Sequence, residues 1–232
     1  METLPPEVLA RRAELPQKPA PVSLDGAIVT LRPLDLATDL DGLFEISCGA
    51  PTTLGRRSTG AFDPDERVWR YMSGGPFADA GALGAWLAQQ IEAPDGRPFA
   101  VRDRDTGTLV GVANLMANQP ANLKIELGSI WYGPVAQGTG ASAEVTYLLL
   151  EHVFALGYRR AEWKCDARNE PSRRAALAYG FTFEGVQEAH YIIKDRNRDT
   201  AWYRMLAHEW PAIAPRLRAY VDARAAAVAS AR

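Results

Sequence analysis

The sequence predicts an α/β fold in which a single domain holds a mixed sheet flanked by helices. Composition supports one domain, because 232 residues with 47% hydrophobic and 23% charged content are ordinary for a globular chain. Alternating apolar runs at 99–102 and 109–113 flank the turn Asp105-Thr106-Gly107 and predict an antiparallel hairpin. The strand predicted at 125–132 leads through glycines into an apolar-periodic helix at 142–155, which predicts a crossover. A hairpin and a crossover together make the sheet mixed.

The first part of the chain has a weaker pattern. Residues 1–22 carry five prolines and little periodicity, so we expect an extended leader, with the domain itself spanning residues 23–211. The β-rich run 27–32 predicts a strand, and Asp35 is typical of the cap of a following helix. Residues 51–76 are too rich in Gly, Pro and Arg for more than a helical turn.

The second part is more regular. A helix is predicted from Asp79 to about Ile91, and another begins near Pro171. Three further runs are typical of strands: 161–165, 181–193 and 200–207. Residues 212–232 are rich in Ala and Arg, so we expect a helix-prone tail outside the domain, which could pack on a second subunit of a homodimer.

Charge and cysteine content argue against several classes of function. The chain has 26 basic and 28 acidic residues, a net charge of −2, so we expect neither nucleic acid nor a membrane as a partner. Cys48 and Cys165 lie far apart without a C-x-x-C pair, so we expect no metal site and no disulfide scaffold. The N-terminus lacks the pattern of a signal peptide, which indicates a cytoplasmic protein.

The most informative segment is the glycine turn between the strand at 125–132 and the helix at 142–155. Its glycines leave the first helix amides free at the positive end of the helix dipole, an arrangement that binds phosphate. No Lys follows Gly140 and no G-x-G-x-x-G is present, so we expect a pyrophosphate other than that of ATP or NAD. Taken alone, such a glycine pair is more often only a tight turn. The predicted binding residues are Gln137, Gly138, Thr139, Gly140, Ala141 and Ser142.

Motifs further along the chain favour the binding interpretation. They are Asn169-Glu170-Pro171-Ser172, Tyr179-Gly180-Phe181-Thr182-Phe183-Glu184-Gly185, the segment 195–203 and Glu209-Trp210-Pro211. In this order and at these intervals, the chain resembles the GNAT superfamily of acyl-CoA N-acyltransferases, and within it the RimJ/RimL-like branch of ribosomal-protein N-terminal acetyltransferases. The resemblance implies a GNAT-like, mostly antiparallel central sheet of about seven strands, with acetyl-CoA as cosubstrate and a primary amine as acceptor.

The resemblance also implies roles for individual residues. The glycine turn would hold the pyrophosphate of CoA, and a free amide in Ser129-Ile130-Trp131 would bond the thioester oxygen. Asn169 would contact the pantetheine arm, although Asn at this position equally suits a helix cap. Many GNAT enzymes protonate the CoA thiolate with a Tyr seven residues after this Asn, but Ala176 stands there in this chain. Ser172, the RimL-like alternative, is therefore the predicted proton donor.

The residues themselves suggest a base and an acceptor site. Glu126 on the strand at 125–132 could take the amine proton, although alternation alone equally suits a solvent-facing side chain. His190 is a second candidate at the acceptor site, but a lone His beside an aromatic residue more often packs. Aromatic residues of the irregular segment are predicted to form the acceptor wall or to pack the loop on the sheet: Trp69, Tyr71 and Phe77.

Two alternatives remain open at this stage. The first is a succinyl-CoA donor, which needs a cation beside the thioester, and Arg56, Arg57 or Arg70 could provide one. The second is a CoA-binding module without catalysis, since the usual Tyr is missing. The acceptor itself, a protein N-terminus or a small-molecule amine, cannot be read from the sequence.

Overall fold

The computed structural model describes residues 3–230, and residues 1, 2, 231 and 232 of the predicted leader and tail lie outside it. The helices are α1 Pro6–Glu14, α2 Leu36–Glu45, α3 Ala80–Glu92, α4 Ala141–Ala155, α5 Glu170–Ala178 and α6 Trp210–Ser230. The strands are β1 Leu24–Asp25, β2 Val29–Pro33, β3 Thr52–Leu54, β4 Arg57–Thr59, β5 Arg97–Asp103, β6 Leu109–Gln119, β7 Lys124–Tyr132, β8 Arg160–Asp166, β9 Thr182–Ile193 and β10 Arg196–Leu206.

The main sheet has eight strands in the order β1-β2-β5-β6-β7-β8-β10-β9. Neighbouring strands are antiparallel except β7 and β8, which are parallel and joined by α4 as a crossover. The predicted mixed, mostly antiparallel sheet flanked by helices is confirmed. The strand beyond the predicted number of about seven is β1, two residues that pair with β2 and are too short to give a sequence pattern.

Helices cover both faces of the sheet and divide the core into two layers. On one face α4 and α6 pack together over apolar residues that include Leu149, Val153, Leu217 and Val221. On the other face α2 and α3 enclose a second cluster around the fully buried Trp69. Both layers rest on the central strands, which explains why runs of consecutive residues in those strands are buried on both faces of the sheet.

The ends of the chain differ from the prediction. Residues 6–14 of the supposedly extended leader form α1, and Pro6 is tolerated at its first position, where the missing N–H costs nothing. Leu15 after this helix is buried in the main core. The tail is helical, as its composition predicted, but α6 begins at Trp210 and packs on α4 of the same chain.

The irregular segment 51–76 holds more structure than its composition suggested. Strands β3 and β4 form a short separate ribbon, and Asp65–Trp69 is one turn of π-helix where a helical turn was predicted. The cap predicted at Asp35 and the helix start predicted at Asp79 are both confirmed. The Asp35 carboxylate accepts from the Ala37 amide, and the Asp79 carboxylate accepts from the Ala82 amide.

Candidate active site

The candidate site is a cleft that opens where the parallel strands β7 and β8 separate. The two strands pair over three residues, ending at Glu126 opposite Glu162, and within residues 3–230 no ladder joins them beyond that point. The resulting cleft has a volume of about 420 Å³. Because the strands part, backbone groups along both edges are left for a ligand to pair. Side chains on its β7 and β8 walls include Glu126, Ser129, Ile130, Trp163, Lys164 and Cys165.

A β-bulge shapes the β7 wall. The ladder with β6 slips between Gly128 and Trp131, so that two residues of β7 stand opposite one residue of β6. Ser129 in this bulge has a φ of 49°, in the left-handed region. Its hydroxyl donates to Gln90 Oε1 at 2.9 Å, which ties the bulge to α3. The bulge therefore begins directly after Gly128.

Gly128 makes room for the carboxylate of Glu126. A Cβ at Gly128 would lie 2.8 Å from Glu126 Oε1 and 2.7 Å from Met116 Sδ, closer than such atoms approach. The carboxylate is buried and forms an ion pair with Lys164, with Oε2 and Nζ 2.6 Å apart. Burial raises the pKa of Glu126, and the neighbouring Lys164 only partly offsets this. Lys164 Nζ in turn lies 4.5 Å from the centre of the Trp202 ring.

Ser172 lies at the β8 wall, in the first turn of α5. Trp163 Nε1 donates to Ser172 Oγ at 3.0 Å, which leaves the hydroxyl hydrogen of Ser172 free to point elsewhere. Asn169 caps the same helix, because its Oδ1 accepts from the Ser172 amide at 3.2 Å, while its side chain also lines the cleft. Cys165 nearby is buried, which raises the pKa of its thiol and argues against a nucleophile.

The glycine turn enters α4 in the predicted place. Gly138 and Gly140 have φ values of 75° and 99°, which favour glycine. Thr139 Oγ1 accepts from the Ala141 amide at 3.3 Å, whereas the next two amides of the first turn have no acceptor within the helix. Arg57 braces the turn by donating to the carbonyl oxygens of Val135 and Gln137, both at 3.2 Å.

A buried carboxylate holds the start of α4 in position. Glu144 accepts from three consecutive backbone amides, those of Ala27, Ile28 and Val29, at 2.6–2.7 Å. Gly26 is required beside it, since a Cβ there would lie 2.3 Å from the carboxylate. The entry to β2 and the first turn of α4 are thereby fixed to each other. This contact carried no recognisable sequence signal, because its partners are backbone atoms more than a hundred positions away.

Sequence and fold comparisons agree with this geometry. The acetyltransferase (GNAT) domain family matches residues 29–182. The chain is also similar to a GCN5-related N-acetyltransferase from Brucella melitensis, with 37% identity, 89% of this chain and 87% of that chain covered, and a TM-score of 0.78. The chain belongs to the GNAT acetyltransferase family.

Other solved GNAT structures extend the likeness. A probable GNAT-family acetyltransferase from Chromobacterium violaceum is 32% identical, with 84% of this chain and 90% of that chain covered and a TM-score of 0.73. A spermidine N-acetyltransferase from Vibrio cholerae, solved with CoA and spermine, is only 19% identical. With 80% of this chain and 99% of that chain covered and a TM-score of 0.61, it shows likeness of fold alone. No curated protein sequence matches the chain.

The GNAT fold brings some of the predicted residues together and separates others. Residues that line the cleft are Tyr71, Glu126, Ser129, Ile130, Asn169 and Ser172. Trp69, Phe77 and Trp131 do not line it but pack against each other and Trp86 beneath it. The side chains of Trp69 and Phe77 therefore have the packing role that the sequence also allowed. An acceptor contact by these two residues and a cofactor contact by the backbone amide of Trp131 stay predictions. His190 stands beside the cation-bound Trp202, with its Nδ1 buried and without a hydrogen-bond partner among residues 3–230.

The glycine turn lies against a second cavity rather than this cleft. Gly138, Thr139 and Ala141 line a space of about 190 Å³ together with Arg56, Arg57 and Arg224. Arg56 and Arg57, considered above as partners for a succinyl group at the thioester, belong instead to this end of the site. Their position follows from the β3–β4 ribbon, which the sequence did not reveal.

Sequence reasoning missed Lys164 and Arg198, two cations at the cleft. Lys164 alternates on β8 with buried neighbours, a usable signal, but its partner Glu126 depends on the parallel register. Among residues 3–230, no group of three His, Cys, Asp or Glu side chains is arranged to hold a metal ion. In the same part of the chain, no helix is long and apolar enough to cross a membrane.

Proposed function

We propose that this GNAT protein is an acetyl-CoA-dependent N-acetyltransferase in which a primary amine attacks the thioester directly. The observation that carries the proposal is the cleft between the separated strands, with the carboxylate of Glu126 on one wall and the hydroxyl of Ser172 at the other. A base and an acid facing the same gap are what amine acylation requires, because the nucleophile loses a proton and the thiolate gains one. Ser172 is the residue to which the resemblance to the RimJ/RimL-like branch assigns the role of proton donor.

The donor end of the site is the glycine turn. Free amides at the start of α4 and the positive end of its dipole suit a pyrophosphate. Arg56, Arg57 and Arg224 beside the turn add positive charge for the phosphates of CoA. The separated edge of β7 suits the pantetheine arm, with a backbone amide of the bulge at Ser129 placed to stabilise charge on the carbonyl oxygen.

The acceptor end favours a neutral amine. Lys164 and Arg198 line the cleft together with the carboxylates of Glu126 and Asp166, so the lining has no net negative charge that would favour a bound ammonium over the neutral amine. As the amine nitrogen forms its bond to the carbonyl carbon, it loses a proton. Glu126, with a pKa raised by burial, accepts that proton. The carbon–sulfur bond then breaks, Ser172 gives its hydroxyl proton to the sulfur, and water restores that proton.

Two other interpretations are weaker. A succinyl donor loses two of its three candidate cations, because Arg56 and Arg57 lie at the glycine turn. A CoA-binding module without catalysis would not need a buried carboxylate with a raised pKa beside the thioester position. Homodimerisation and a cytoplasmic location stay predictions.

The test is thiol release from acetyl-CoA by purified protein with a panel of amines and N-terminal peptides. Ser172→Ala should lower kcat about 100-fold, in the range for loss of a general acid, while calorimetry shows unchanged CoA affinity. Trp163→Phe is the matched control, because it removes the hydrogen bond to Oγ but keeps the hydroxyl, so it should lose less activity. Tight CoA binding without thiol release for any amine would favour the non-catalytic module.

A further inference from the structure

A third concave surface adjoins the cleft, in addition to the cavity at the glycine turn. One wall of this surface is the π-helical turn Asp65–Trp69 and the residues that follow it. The other wall is the turn that joins β9 to β10. Its volume is about 320 Å³, and it shares Tyr71, Asp166, Ile193 and Arg198 with the wall of the cleft. A molecule reaching into the cleft can therefore extend into this surface, which we call the cationic pocket.

The charge of the cationic pocket is opposite in sign to that of the whole chain. Its lining holds five cations and two carboxylates, a net charge of +3, whereas the chain carries −2. The cations are Arg70, Arg168, Lys194, Arg196 and Arg198, and the carboxylates are Asp65 and Asp166. An anion is attracted to such a concave surface, and a polycation is repelled.

Two of the five cations are committed to holding the pocket together. Lys194 donates to the Trp69 carbonyl at 2.7 Å, joining the β9–β10 turn to the π-helical turn. Arg168 donates to the Asn197 carbonyl at 3.0 Å and forms an ion pair with Asp166 at 3.2 Å. Both walls of the pocket are thus fixed in place without using the other three cations.

The other three cations are available to a ligand. Over residues 3–230, neither Arg70 nor Arg196 has a carboxylate within 4.0 Å. Arg198 stacks on Tyr191, with its guanidinium carbon 5.6 Å from the ring centre, and its Nε is buried without a hydrogen-bond partner in the described residues. A buried, unpaired guanidinium N–H is costly unless a ligand pairs it. The planar guanidinium group can donate two parallel hydrogen bonds to a pair of oxygens of a carboxylate or a phosphate.

We propose that the cationic pocket binds a carboxylate or phosphate group on the amine acceptor, so that the preferred substrates are primary amines that also carry a negative charge. The inference rests on the proposed N-acetyltransferase activity and adds the chemical class of the acceptor. In this arrangement the anionic group meets Arg70, Arg196 and Arg198 while the amine extends past Tyr71 into the cleft. Polyamines are disfavoured for the same reason.

The experiment compares matched acceptors with wild-type protein and the Arg70→Gln/Arg196→Gln double variant. Amino acids, their amides, aminoalkyl phosphates and spermidine are each tested for thiol release from acetyl-CoA. With the best anionic amine, KM should rise about 10-fold or more in the double variant, because two charge-assisted contacts are lost. Its kcat and the calorimetric Kd for CoA should change less than about twofold, and KM for the amides should hardly change. Arg104→Gln/Arg216→Gln, which removes two charges at exposed positions outside the pocket, is the control for net charge.

The outcomes separate this inference from the proposed function. Thiol release that is as fast with amides or spermidine as with anionic amines overturns the inference but not the transferase. Weaker CoA binding in the double variant assigns the pocket to the phosphates of the cosubstrate and also overturns it. A third outcome is possible. If calorimetry shows that the anionic amine binds the CoA complex of the wild-type protein but not that of the double variant, the anion site is supported. If the wild-type protein then releases no thiol with this amine, the proposed transferase activity is refuted.

Discussion

Glu126 carries much of the chemical argument, because its environment sets its protonation. Burial raises its pKa above the ordinary value of 4.5, so the carboxylate loses its proton at a higher pH than an exposed glutamate does. A base works only when deprotonated. The ascending limb of the pH profile of kcat/KM should therefore lie above that ordinary value.

Replacing the carboxylate tests this assignment. Glu126→Gln should lower kcat/KM about 100-fold and abolish the ascending limb that Glu126 produces, which is checked by thiol release between pH 5 and 9. Glu162→Gln is the matched control, since Glu162 is an equally buried carboxylate on the next strand, paired with Lys124 and Arg160. If the limb persists in Glu126→Gln, or disappears in both variants, Glu126 is not the base.

A site residue could be predicted from the sequence when its own strand pattern or motif pointed to it. Glu126 and Ser172 were chosen from strand alternation and family resemblance, and both line the cleft. Lys164 and Arg198 were not, because their proximity to Glu126 follows from the register of three different strands. Trp69 shows the reverse case. An aromatic residue in an irregular loop looks like a binding wall, yet a side chain this apolar is as easily buried.

At the scale of elements, the glycine turn and α6 depend on each other. Gly140 has a φ of 99°, and a Cβ there would lie 2.7 Å from Arg224 Cβ on α6. Gly138 has a φ of 75°, but nothing lies within 4 Å of its would-be Cβ. Glycine is thus needed at position 140 both for its backbone conformation and because a Cβ would not fit. At position 138 it is needed for its backbone conformation alone.

This difference gives a paired prediction. Gly138→Ala should destabilise the fold by about 1 kcal/mol, the cost of a left-handed non-glycine residue. Gly140→Ala should cost clearly more, because the strain is joined by a clash with α6, and it should also weaken CoA binding by displacing the first amides of α4. Chemical denaturation and CoA calorimetry measure the two effects. Equal losses of stability in the two variants would refute the contact with α6.

Elements were predictable where caps and periodicity were local. The Asp35 and Asp79 caps and the hairpin around Asp105-Thr106-Gly107 needed only their own sequence. The helix α1 and the β3–β4 ribbon were missed, because prolines and glycines conceal short elements that neighbouring segments stabilise. Tertiary contacts decided these two elements more than propensity did.

The net charge of the chain does not show how its charged side chains are distributed in the folded protein. A net charge of −2 gave no hint that five cations gather in one pocket beside the cleft, while three arginines flank the glycine turn. Folding places both groups around a site whose proposed substrates, an acyl-CoA and an anionic amine, are negatively charged. Electrostatic attraction at both ends also predicts that kcat/KM falls as salt concentration rises.

The hydrophobic core of the domain continues into α6. Leu217 on α6 is 3% exposed and belongs to the same core as α4, beyond the boundary that the sequence suggested. Leu217→Ala should therefore lower the free energy of unfolding by about 2–4 kcal/mol, as expected for a truncated core leucine. Arg216→Ala, the exposed neighbouring position, should change it by less than about 0.5 kcal/mol. Urea denaturation of both variants decides the matter, because a tail outside the domain would tolerate the two changes equally well.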